Sequence, residues 1–218
     1  MSDATQTSTN RIHSPRIWTI VGLCLAFAVG VKLLPYLLTA AGVQAEWYSQ
    51  SYLWSFTPYL AVCLFAGAML GNRWAACGVV LASMLLSDLG IWAISGHFNW
   101  AFYPSLPVMY CCILGVVVLG YLMREGGTWA GAVTMGMIAS VGYFVVTNFF
   151  SWITLPEYSK DLNGFVQCYI MAIPFFRNMF MGTIFYSAIL FSPAMLKLAI
   201  PTTMRDEWIS NPEQASSR

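Results

Sequence analysis

Residues 169–191 read YIMAIPFFRNMFMGTIFYSAILF. The stretch is almost wholly apolar and long enough to cross a bilayer, whose hydrocarbon core takes about 20 apolar residues of helix. Arg177 lies well inside it, beside Asn178 and shortly after Pro174. A guanidinium is costly in hydrocarbon, so its position asks for a partner or for a water-filled cavity.

The rest of the chain has the same character. Of its 218 residues 58% are hydrophobic and only 9% are charged, against about 25% charged in a soluble domain. The class is a polytopic membrane protein built as one compact domain. A net charge of +1 and the lack of a basic stripe give no case for nucleic acid. The six cysteines, Cys24, Cys63, Cys77, Cys111, Cys112 and Cys168, fall in or beside apolar runs. They read as free thiols behaving as small hydrophobes, not as a disulfide framework.

Apolar runs divide the chain into an all-α, six-helix bundle over residues 16–199. Residues 1–15 form a polar, disordered tail, and residues 200–218 a loose C-terminal one. The spans run over about 17–39, 57–70, 74–95, 106–123 and 128–152, with a last apolar stretch over 164–198. The first run is too long for a signal-peptide core and lacks a cleavage pattern, so it reads as a retained helix. The last is too long for one straight span, and Pro174 is expected to bend or divide it.

Positive charges set the orientation. Arg11, Arg16, Arg73, Arg124, Lys197 and Arg205 fall on one side of a six-span chain, and only Lys160 on the other. Both termini are therefore expected in the cytoplasm. The outward loops are residues 40–56, 96–105 and 153–163, the first two rich in aromatic residues. Those rings suit headgroup anchoring, or a lid folded over a pocket.

Three ionisable groups lie within spans: Lys32, Asp88 and Arg177. Helical rise puts Lys32 roughly 22 Å and Asp88 roughly 21 Å from the inner ends of their helices, in the outer half of the core. Asn148 is also high, and Arg177 is at similar or middle depth. One carboxylate and two cations suit an ion pair with a cation left over, which an anionic solute would complete. The alternative is a set of ties between helices, with Lys32 reaching to the headgroups.

Small residues recur in rows: Gly22, Ala26 and Gly30; Gly67 and Gly71; Ala132, Gly136 and Ser140. Such rows allow close helix packing within a bundle, or docking of a partner. His97 is the only histidine outside the tail, so paired-histidine haem ligation and a zinc-binding HExxH helix are unavailable. There is no GxSxG elbow or P-loop. The expectation is a protein that is not an enzyme and that holds no metal or cofactor.

Four motifs occur in order: FTPYLAVCLFAGAMLG (56–71), LLSDLGIW (85–92), TNFFSW (147–152) and GFVQCYIMAIPFFRNMFMGTIFYSAILF (164–191). Together they resemble an uncharacterised family of bacterial six-helix membrane proteins, which is similar in turn to the substrate-binding S components of energy-coupling-factor transporters. The resemblance implies a multi-pass protein of the bacterial inner membrane that captures a micronutrient from outside. Its partners would be membrane lipid, a transmembrane coupling protein and cytosolic ATPases. Asp88, Asn148, Arg177 and Asn178 would line or support the pocket, joined by Lys32 on the charge argument above. Gly22, Ala26 and Gly30 would form the docking face, although the family's alanine pair is not intact. Residues 40–56 look like an insertion, and no motif points to a particular solute.

Overall fold

The computed structural model describes residues 15–43, 55–124 and 127–199. The expected N-terminal tail (but for Pro15), the C-terminal tail and most of the aromatic loop 40–56 lie outside the described residues. Those described form helices and connecting loops, without strands. In order they are α1 (Pro15–Ala40), α2 (Tyr59–Met69), α3 (Arg73–Ser95), α4 (Phe98–Ala101), α5 (Leu106–Leu122), α6 (Trp129–Thr154), α7 (Leu162–Leu190) and α8 (Pro193–Ala199). Five helical segments are long and apolar enough to cross a membrane: α1, α3, α5 with the short α4 before it, α6 and α7. The chain is a multi-pass membrane protein.

The expected second span differs. Helix α2 has only 11 residues, every one of them buried. At ~1.5 Å per residue it is roughly 17 Å long, too short to cross a core of about 30 Å. It lies inside the bundle in contact with α1, α3, α5, α6 and α7. A helix apolar all round belongs in a core, and α2 supplies the centre of the protein's buried cluster, from Leu60 to Met69. Its one hydroxyl is satisfied: the Tyr59 hydroxyl lies 3.2 Å from the Val80 carbonyl and 3.0 Å from Ser83 Oγ.

Helices α2 and α5 meet backbone to backbone. A Cβ on Gly67 would collide with the Val117 carbonyl, and one on Gly120 with the Leu64 carbonyl. Gly136 on α6 faces Ser187 and Thr183 on α7 in a similar way, with a Cβ there meeting Ser187 Oγ at 2.9 Å. These two glycines of the small-residue rows, Gly67 and Gly136, thus serve internal packing. The row on α1 does not: Gly22, Ala26 and Gly30 are exposed, with open space at both glycines.

The last stretch is not divided at Pro174. Helix α7 continues through Pro174 for 29 residues. Proline removes one donor and blocks one carbonyl, but neighbouring helices can hold such a turn together in a membrane. The chain breaks later, at 191–192, and α8 folds back against α1 and α7.

Polar side chains fix the helix starts. Asn72 Oδ1 accepts from Trp74 N at 2.9 Å, Thr128 Oγ1 from Gly131 N at 3.0 Å, and Asp161 Oδ1 from Gly164 N at 2.8 Å. Each satisfies an amide the helix leaves unpaired. Gly96 ends α3 in the left-handed region, φ 71°, where glycine carries no Cβ penalty. At the C-terminal end of α6, the Lys160 ammonium donates to the carbonyls of Trp152, Leu155 and Tyr158.

The Asp161 cap carries a pH dependence. The Gly164 amide and the Ser159 hydroxyl hold its carboxyl below the usual range. A depressed carboxyl stabilises the fold above its unfolded pKa, and that contribution is lost as pH falls through the folded one. Hydrogen exchange at Gly164, corrected for intrinsic rate, should therefore quicken on acidification through the carboxylate range. Asp161→Asn keeps an acceptor and should remove that dependence; an unchanged profile in the variant would refute the assignment.

Candidate functional site

The helices leave two polar features near the end where the longer connections lie, residues 41–58, 96–105 and 155–161. The first is centred on Asp88, which is 2% exposed in the last turns of α3. Lys32 on α1 reaches Asp88 Oδ1 at 2.7 Å, and the Tyr110 hydroxyl on α5 donates to Oδ2 at 2.7 Å. Both carboxylate oxygens are therefore engaged, by residues from two other helices. The lysine side chain keeps 29% exposure, so its ammonium stays near the bundle surface while the acid is enclosed. A buried ion pair gains little net stability but is expensive to break. This network is a three-helix tie.

The second feature is a cleft of about 290 Å³. Its walls come from the loop before α5 (Tyr103, Ser105), from α5 itself (Met109), from the last turns of α6 (Thr147, Asn148, Ser151) and from the middle of α7 (Phe176, Met179). Ser55 closes one side and adopts φ 68°, a left-handed conformation that non-glycine residues rarely take and that recurs at functional sites. Phe144 and Phe176 form an aromatic wall, their ring centroids 4.4 Å apart. Every polar group in the lining is neutral: hydroxyls and one carboxamide, with no carboxylate, amine, guanidinium or imidazole among the described residues.

Local sequence explains the polar wall. Thr147, Asn148 and Ser151 recur at spacings of one and four, which puts them on one side of a helix. Thr147 Oγ1 donates to the Tyr143 carbonyl at 2.7 Å, and Asn148 Nδ2 to the Phe144 carbonyl at 2.8 Å. Each side chain thus folds back on its own helix, as polar groups in apolar helices do.

The sequence-predicted residues separate into groups. Lys32 and Asp88 pair with each other. Asn148 lines the cleft. Arg177 stands on an exposed face near the middle of α7, and Asn178 is buried beside it. The oxygens of Asp88 go to Lys32 and Tyr110, so Lys32 is the cation that meets the acid. The six cysteines are free thiols, Cys63 and Cys168 among them buried. Among the described residues no three of His, Cys, Asp and Glu converge as metal ligands.

Sequence reasoning missed Tyr110, Tyr103, Ser105, Thr147 and Ser151. A tyrosine one turn into an apolar helix carries a hydroxyl that needs a partner when buried, and Asp88 was the acceptor to look for. The T-N-x-x-S spacing within TNFFSW was a second available signal.

No curated protein and no solved structure matches the chain. A family match does cover residues 12–203, most of its length. The chain belongs to the family of unknown function DUF6580.

Proposed function

We propose that this protein captures a small solute in the cleft between α5, α6 and α7 and passes it inward across the membrane. The observation that carries the reading is the cleft itself, where hydroxyl and amide groups converge on an aromatic wall in an otherwise apolar bundle. A mostly apolar concavity with a few directed polar groups is the usual form of a small-molecule site.

In this reading the long-connection end faces outside and both termini face the cytoplasm, in agreement with the clustering of Arg16, Arg73, Arg124 and Lys197 at the other end. Helix α2 with its flanking segments makes the sixth crossing. The protein resides in a bacterial inner membrane and resembles the S components of energy-coupling-factor transporters in its way of working. The open Gly22, Ala26 and Gly30 face of α1 supports docking of a transmembrane coupling protein, which cytosolic ATPases would drive. Lys32 is matched by Asp88, so charge balance at that point no longer asks for an anionic solute.

The test is mass spectrometry of small molecules that co-purify with the detergent-solubilised protein. A species should accompany the wild type and fall about tenfold in Thr147→Val/Asn148→Leu, the effect of losing roughly one well-placed hydrogen bond. Equal recovery from both proteins would sink the reading. A second reading, a scaffold without ligand, is favoured by the closed Lys32–Asp88 pair. It predicts no co-purifying solute and recovery of membrane-protein partners alone.

A further inference from the structure

The hydrogen bonds already made in the cleft restrict what it can recognise. A backbone carbonyl only accepts, so the end of Asn148 that faces the Phe144 carbonyl at 2.8 Å is its NH2 group. The Asn148 carbonyl oxygen is turned elsewhere. Thr147 likewise spends its one proton on the Tyr143 carbonyl at 2.7 Å, which leaves its oxygen with lone pairs only. At Thr147 and Asn148 the wall of α6 therefore offers acceptor oxygens, while the second Asn148 N–H and the hydroxyls of Tyr143 and Ser151 can donate. Beside it stand the rings of Phe144 and Phe176, 4.4 Å apart and inclined at 36°, whose faces suit a further flat ring.

Charge narrows the class again. An anion would find no cation in the lining, and a cation would find no carboxylate there. Either would bear a desolvation cost without a partner. The volume of about 290 Å³ is at the small end for ligand sites, about 300–1,000 Å³, and suits one or two fused rings.

We infer that the cleft takes an uncharged, planar aromatic molecule that presents an N–H or O–H donor to Thr147 and Asn148. The inference rests on the solute-binding reading above and adds the chemical class of the solute.

Three related probes separate the possibilities. Indole is neutral and has one N–H donor. Benzofuran has the same shape with an acceptor oxygen in its place. Indole-3-carboxylate adds a negative charge. Binding is measured by equilibrium dialysis on the intact chain in nanodiscs. The cleft-specific part is the part abolished by Ala172→Trp, which fills the cavity from α7, and thermal unfolding checks that each variant is folded. Indole should bind about tenfold more tightly than either analogue. Thr147→Val/Asn148→Leu should erase that preference while leaving benzofuran binding unchanged.

If cleft-specific benzofuran or carboxylate binding equals or exceeds that of indole, the donor-bearing class is overturned and a solute cleft remains. If no probe binds in the cleft, the class is again overturned. The wider reading falls as well only if the co-purification experiment also finds no Thr147-dependent species. Indole preference that survives the double substitution would overturn the assignment of Thr147 and Asn148.

Discussion

Gly120→Leu should leave almost no folded protein. The obstacle at this position is the Leu64 carbonyl on α2, part of the backbone. A backbone cannot rotate aside as a side chain can, so the two helices must separate. Because α2 is buried on every side, moving it disturbs packing against all the long helices. The expected loss exceeds about 4 kcal/mol, the range reserved for gross core disruption. Monodisperse yield of a fluorescent fusion on size exclusion in mild detergent is the measurement. Gly115 on the same helix provides the control. It is exposed, and a Cβ there meets open space, so Gly115→Leu should express as well as the wild type. Equal losses in the two variants would show that glycine content, and not the α2–α5 contact, is what matters.

The next largest effect is expected from Lys32→Met. The substitution leaves Asp88 enclosed with Tyr110 alone to satisfy it. Breaking a buried pair by removing one partner costs about 3–5 kcal/mol. The lower end applies here, because Lys32 keeps 29% side-chain exposure. Lys32→Met/Asp88→Leu should recover most of the loss. Recovery should stop short by about 1 kcal/mol, since the Tyr110 hydroxyl then lacks its acceptor. Thermal unfolding in detergent measures the cycle. Additive losses, with no recovery in the double variant, would remove the tie. A double variant that folds and still co-purifies its solute would place the ion pair wholly on the structural side.

Much of the architecture could be read from composition and run length. The spans expected over 17–39, 74–95, 106–123 and 128–152 match α1, α3, α5 and α6 to within about two residues, because the apolar runs are bounded by capping residues such as Asn72 and Thr128. Of the two outcomes expected at Pro174, a bend or a division, division does not occur: α7 runs through it, held by packing against α6. The stretch 57–70 reads as a short span by hydropathy, and what hydropathy leaves out is that its 11-residue helix is buried on every side. Hydropathy does not distinguish lipid from protein interior, as both are apolar.

The site was legible in part. Depth counting put Lys32 and Asp88 at one level, and they are bonded. It could not give azimuth, the direction in which each side chain leaves its helix. Arg177 therefore looked like a rival for Asp88, whereas it lies on an exposed face. The neutral groups that make the cleft carry no charge to draw attention, and their meaning comes from which helices face each other.

The enclosed α2 also constrains how the chain enters its membrane. A segment of 11 residues cannot be held across the bilayer as an independent helix, and every side of it requires a protein neighbour. Four of the helices it contacts, α3, α5, α6 and α7, come later in the chain. Its final seat cannot exist until they have been made. Translation thus delivers the centre of the protein before most of its surroundings, and the burial of α2 is completed only when the later helices pack around it. Truncation after α5 should leave that segment reachable by water-soluble thiol reagents at Cys63, a residue that the complete bundle buries.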